Sequence, residues 1–130
     1  MTSFIVGVAG IFGASLRYGL GTWVRQLLPQ SVFPFGTLAV NLIGCFVLGW
    51  FSAWSRNRRL SPRFQAAAST GLIGSFTTYS AFSVETVELF RQGLWESGTA
   101  YVAASMLGGL CLVWLGASIA SGGRKDANHD

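Results

Sequence analysis

Four stretches of this chain contain no Asp, Glu, Lys or Arg: Met1 to Leu16, Gln26 to Ser55, Phe64 to Val84, and Ser97 to Gly123. That spacing limits the fold more than any motif does. About 20 mostly apolar residues, wound as a helix, cross a bilayer core roughly 30 Å thick. The last three stretches reach that length unaided. The first reaches it if its helix continues past Arg17 to about Trp23. Helices are the expected element, because hydrocarbon cannot satisfy backbone groups left open. The alternation of a barrel strand is absent from the sequence.

Composition agrees. Of the 130 residues, 51% are hydrophobic and 11% charged, against about 25% charged in a soluble domain. So few charges could not cover a soluble globule. The N-terminus lacks the basic start of a signal peptide, so Met1–Trp23 is expected to remain as the first span. Cys45 and Cys111 lie inside apolar spans and read as small hydrophobes, not as a disulfide or metal pair. A single histidine, His129 in the polar tail, also argues against a zinc site. The net charge of +4 comes from loop arginines and points to anionic headgroups rather than nucleic acid.

The expected spans run roughly over 3–24, 34–55, 63–90 and 97–121. Residues 1–121 make one transmembrane domain, and 122–130 form a polar tail expected to be disordered. Pro29 and Pro34 stop helices in the first loop. Ser61-Pro62 suits a helix start, with Ser as cap and Pro as first residue. The third loop is short, around Arg91-Gln92-Gly93. With both ends cytoplasmic, six basic residues lie inside (Arg56, Arg58, Arg59, Arg63, Arg124, Lys125) and two outside (Arg25, Arg91). Loop charge therefore favours that orientation. Trp23, Trp50, Trp54 and Trp95 fall near span ends, where aromatic belts form, and Trp114 lies deeper. Ala67, Gly71 and Ser75, and Ala100, Ala104 and Gly108, form rows of small residues that let helices approach closely. A chain this small has no evident room for an internal aqueous path, which favours an oligomer.

The third span carries the chemistry. Ser75, Thr77, Thr78, Tyr79, Ser80 and Ser83 place six hydroxyls within nine residues of a hydrophobic segment. One or two hydroxyls can bond the helix's own carbonyls; six exceed that need. With Gly74, they predict a break in the helix, tolerated at membrane depth only where it is buried or lines a cavity. Freed carbonyls at such a break can coordinate a monovalent cation. A kinked packing helix is the alternative. Asn41, near the middle of the second span, offers two donors that an anion can use; the alternative is an interhelical hydrogen bond. Thr37 lies four residues earlier on the same face. Tyr101 and Ser105 form a hydroxyl stripe on the fourth span, with Gly109 at the next position, and packing is the more common explanation of such a stripe. The positive ring edges of Tyr79 and Phe82 suit a small desolvated anion. Arg17 and Glu85 are ionisable residues within spans, which face protein or water.

These residues carry a resemblance. Gly13 to Arg17-Tyr18, Gly36-Thr37-Leu38-Ala39-Val40-Asn41, and above all Gly74-Ser75-Phe76-Thr77-Thr78-Tyr79-Ser80-Ala81-Phe82-Ser83-Val84-Glu85 are similar to the small bacterial fluoride channels, the Fluc (CrcB) family. The likeness covers nearly the whole chain. It implies an all-α membrane protein of four transmembrane helices, the third broken near its middle, assembled as an antiparallel dimer in the bacterial cell membrane. Two pores would run along the subunit interface. It implies that the backbone carbonyls of Gly74 and Thr77 hold a structural sodium ion at the dimer centre. Asn41 then matches the pore asparagine, Phe82 the second of two pore phenylalanines, and Thr37, Tyr101 and Ser105 a polar track. Thr78 and Ser80 add hydroxyls beside them. Three residues depart from the family pattern: Tyr79 replaces the first phenylalanine, Ser75 a second glycine, and Gly109 a further hydroxyl.

The resemblance implies passive export of fluoride, with no enzymatic step. The six-to-two charge asymmetry opposes insertion in both orientations, so the partner is either a second copy or an oppositely biased paralogue. A small four-helix multidrug exporter would need a carboxylate in the first span, which holds Arg17 instead. A non-transporting membrane scaffold subunit is the other rival.

Overall fold

The computed structural model describes residues 1–56 and 58–125. Its helices are α1 (Thr2–Leu27), α2 (Phe35–Ser55), α3 (Pro62–Ala66), a π-helical stretch (Ala67–Ile73), α4 (Gly74–Phe76), α5 (Tyr79–Arg91) and α6 (Trp95–Lys125). Three of them, over Thr2–Leu27, Phe35–Ser55 and Trp95–Gly122, are long and apolar enough to cross a membrane. The segment expected as the third span is a chain of helical pieces from Pro62 to Arg91. The first four residues of the expected tail, 122–125, continue α6; the disorder expected of 126–130 falls outside the described residues.

Local chemistry accounts for the boundaries. Pro34 stands at the N-cap of α2, where its missing N–H costs no helical bond. Ser61 caps α3 by accepting the Phe64 N–H at 3.2 Å, with Pro62 as the first helical residue. Gly93 closes α5 at φ 77°, a left-handed conformation that favours glycine. The Leu94 N–H then bonds back to the Leu89 carbonyl at 2.9 Å, and α6 starts one residue later.

Two close helix approaches hold the bundle. On α2 and α6, a Cβ on Gly49 would collide with the Val113 carbonyl, and one on Gly116 with the Phe46 carbonyl. Each helix therefore uses a missing side chain to receive the other's backbone. The second approach joins α1 to the π stretch. A Cβ on Gly13 would collide with the Leu72 carbonyl, and one on Gly71 would stand 2.6 Å from the Val6 carbonyl. The predicted small-residue row on the third span therefore faces α1. On α6, a Cβ on Gly108 would stand 3.0 Å from Leu42, Ala100 is exposed, and the tightest approach to α2 is at Gly116. Lipid tails are as apolar as leucine, so close backbone packing must supply cohesion.

Exposure is inverted relative to a soluble protein. Val40, Phe51, Ile73, Leu89 and Tyr101 form the buried core, whereas Phe4, Leu110 and Trp114 are 70% or more exposed. The chain is an all-helical, multi-pass membrane protein whose outer surface suits lipid or another subunit.

Gly49→Ala should lower the thermal midpoint in detergent. Overpacking costs about 1–3 kcal/mol, and the contact is backbone that cannot turn aside. Gly19→Ala should leave the midpoint unchanged, since nothing lies within 4 Å of its added Cβ. Equal midpoints for the two variants would contradict the close approach.

Candidate functional site

The helical backbone ends at Phe76. Thr77 (φ −78°, ψ 159°) and Thr78 (φ −145°, ψ 119°) are extended, and helix resumes at Tyr79. Asn41 of α2 fills the gap. Its Oδ1 accepts the Thr78 N–H at 2.8 Å, and its Nδ2 donates to the Thr78 carbonyl at 3.0 Å. The amide thus supplies both partners that a helix would have given Thr78. One N–H of Asn41 is spent there, and its second remains a donor.

The same rearrangement leaves carbonyls at the break without helical donors, those of Gly74 and Thr77 among them. In a continuous helix, the Thr78 N–H would bond the Gly74 carbonyl and the Ala81 N–H would bond the Thr77 carbonyl. Instead, Asn41 takes the first, and Thr78 Oγ1 caps the second at 3.3 Å. Gly74 and Thr77 therefore present carbonyl oxygens without their usual helical donors. A Cβ on Gly44 would collide with Thr77 Cγ2, so α2 also presses on the break from below Asn41.

One turn beyond Asn41, Thr37 Oγ1 donates to Glu85 Oε1 at 2.8 Å. Tyr101 Oη donates to Glu85 Oε2 at 2.9 Å. Glu85 thereby ties α2 and α6 to α5, and its carboxylate is stabilised by one hydroxyl on each oxygen. The Tyr101 ring is fully buried. It packs 5.2 Å from Phe82 and meets Phe33 edge-on at 5.5 Å and 87°.

The predicted residues thus separate into groups. Asn41 and Thr78 meet directly, with Ser80 Oγ 3.3 Å from Thr78 Oγ1. Thr37 and Tyr101 meet through Glu85, and the Phe82 ring packs against Tyr101 at a 39° tilt. Ser105, one turn along α6 from Tyr101, has a buried hydroxyl with no hydrogen-bond partner. Tyr79 is 80% exposed, its ring 6.1 Å from that of Phe82. Ser83 Oγ donates to the Tyr79 carbonyl of its own helix, which is the ordinary fate of a hydroxyl in a span. A cleft of about 570 Å³ opens beside these groups and is lined by Arg17, Thr37, Thr78, Ser80 and Glu85.

Glu85 and Phe33 are the residues that sequence reasoning underplayed. Glu85 carries a signal, being an ionisable side chain within a span, but its two hydroxyl partners are 48 and 16 residues away. Phe33 lies in a loop and has no pattern that marks it.

Polar side chains that meet beside a helix break, within a bundle otherwise faced by apolar residues, belong to a multi-pass membrane protein. The chain belongs to the CrcB family: the profile described as CrcB-like protein, Camphor Resistance (CrcB), matches residues 4–117. It is 42% identical to "Fluoride-specific ion channel FluC 2" of Geobacillus kaustophilus over 127 residues, covering 97% of this chain and 98% of that protein. It is 44% identical to "Fluoride-specific ion channel FluC 1" of Bacillus cereus over 113 residues, 86% of this chain and 82% of the relative. It is 44% identical to "Fluoride-specific ion channel FluC" of Oceanobacillus iheyensis over 117 residues, 89% and 88% of the two chains.

Asn41→Ala should destabilise the fold by about 1–3 kcal/mol, because it leaves the Thr78 N–H and carbonyl unpaired. Asn41→Asp should cost a similar amount, since a carboxylate facing the Thr78 carbonyl cannot donate. Thermal unfolding in detergent checks both, and a midpoint unchanged in either variant would show that Asn41 does not hold the break.

Proposed function

We propose that this chain is a subunit of a fluoride-selective channel that lets fluoride leave the cytoplasm down its electrochemical gradient and so lowers fluoride toxicity. The observation that carries this reading is the meeting of Asn41, Thr78 and Ser80 at the break, beside a cleft that Arg17 makes more positive. The relatives' printed function points the same way. Fluoride holds its water tightly, and moving it into low dielectric costs many kcal/mol unless each lost water is replaced. The second Asn41 N–H and the Thr78, Ser80 and Ser105 hydroxyls are the available donors. The edges of Phe82 and Tyr79 supply a weaker electropositive lining. Passage requires no covalent step, in keeping with a family of channels rather than enzymes.

Thr37 and Tyr101 stand apart from those donors, because both hydroxyl protons already point at Glu85. Fluoride would compete with that carboxylate for them. Glu85 would also repel anions that bring too little hydrogen-bonding demand to displace it, which favours fluoride over chloride.

The functional unit in this proposal is an antiparallel dimer. The exposed Tyr79 would then complete a passage along the seam, where a second subunit faces the break. The freed carbonyls of Gly74 and Thr77 fit a monovalent cation with oxygen ligands. A structural sodium ion held there would supply a fixed positive charge that favours an anion nearby. The charge bias of the loops favours a partner of opposite orientation bias over an identical copy.

Liposomes holding the purified protein should release fluoride at least tenfold faster than chloride, and removal of sodium should slow the release. Equal rates for the two halides would overturn the selectivity claim. Glu85→Gln should reduce the fluoride-to-chloride ratio roughly tenfold, since an amide can accept from only one of the two hydroxyls. Separately, an epitope tag on this chain expressed alone should be readable mainly from the cytoplasmic face. Equal populations on both faces would favour the homodimer.

A further inference from the structure

At the basic end of the bundle a second cleft, of about 350 Å³, lies between the end of α2 and the segment formed by α3 and the π stretch. Its walls include Ser52, Arg56, Arg58, Gln65 and Ser69, with Phe51 behind them. Among the described residues, no carboxylate lines it. The fluoride reading uses none of these residues.

The hydrogen bonds show which groups are free for a ligand. Ser55 Oγ donates to the Ser52 carbonyl, Ser69 Oγ to the Gln65 carbonyl, and Gln65 Nε2 to the Leu60 carbonyl. Those donors are partly or wholly spent on the cleft's own walls. The Arg56 and Arg58 guanidinium groups, the Ser52 hydroxyl and the second Gln65 N–H remain. Arg58 is placed by a cation–π contact, its Cζ 4.9 Å from the Trp54 ring, and such a contact leaves N–H groups at the guanidinium rim for an anion. Two guanidiniums and neutral donors lining one cleft match a phosphate group.

The surroundings identify which phosphate. Trp54 stacks on Trp50 at 5.6 Å and 10°, at the span end where aromatic belts sit at headgroup depth. Phe51 lies 6.1 Å from Trp54 and 6.3 Å from Phe64, and Phe64 is 51% exposed. A free phosphate would leave this apolar surface unused. A phospholipid would set its headgroup between the arginines and its first acyl carbons against Phe51, Phe64 and Trp54. We propose that this cleft binds the phosphodiester headgroup of an anionic phospholipid, at the end of the molecule where the loop arginines gather.

The test uses the full-length protein in detergent, titrated with phosphatidylglycerol, phosphatidylcholine or inorganic phosphate, with bound lipid counted by native mass spectrometry. Phosphatidylglycerol should be retained over phosphatidylcholine, and the preference should fall roughly tenfold or more in R56Q/R58Q. R56K/R58K should keep part of the preference, which guards against a misfolded double variant. R59Q/R63Q and R91Q should bind phosphatidylglycerol as the unaltered protein does. Equal retention of the two lipids, full competition by inorganic phosphate at millimolar concentration, or an equal loss in R59Q/R63Q would each overturn the proposal. The last result would mean diffuse charge attraction rather than a built cleft.

Discussion

The bond pair between Asn41 and the Thr78 backbone is the constraint on which the rest of the site depends. A backbone that leaves helical geometry inside a membrane exposes an N–H and a carbonyl that lipid cannot satisfy, at a cost of several kcal/mol for each. One side-chain amide offers a donor and an acceptor at matching separation, and here both reach the same residue. Because Thr78 is satisfied from α2, its own hydroxyl is free to cap α5 through Ala81. The carbonyls of Gly74 and Thr77 consequently lose their helical donors. A single interhelical contact therefore sets where the break falls and which oxygens it exposes.

Glu85 forms a second centre of polar contacts, reached from two other helices. A carboxylate within a span is costly unless its oxygens are hydrogen-bonded, and Thr37 and Tyr101 meet that need one oxygen each. The arrangement gives Tyr101 its full burial between Phe33 and Phe82. Aromatic packing and the carboxylate thus support one another: the rings exclude solvent from the hydroxyl, and the hydroxyl accounts for the charge.

Cohesion of the bundle comes from elsewhere. Glycines at 13, 49, 71 and 116 bring backbones into contact along two helix seams, while most large apolar side chains face outward. Such a chain encloses little of its own, and Tyr79 stands exposed beside the break.

The sequence by itself determined the solvent and the broad class. Charge-free stretches of membrane-spanning length without a barrel's alternation require helices in lipid, because only helices and closed barrels satisfy the backbone there. It also marked a dense run of hydroxyls from Ser75 to Ser83 and an amide at Asn41 as out of place in such a setting. It left the third span as one interrupted helix between roughly 63 and 90, whereas the structure divides the segment into α3, a π stretch, α4 and α5. Only tertiary structure decided between Asn41 as a free donor and Asn41 as a lock, since both uses present the same residue at the same depth; the lock takes one N–H and leaves the other. Only tertiary structure joined Thr37 and Tyr101 to Glu85, because side-chain direction across three helices has no local signature. The same holds for α6, where the expected contact at Ala100 is exposed and Gly116 makes the close approach. Periodicity says which residues share a helix face; which face meets a neighbour is settled by how the backbones fit.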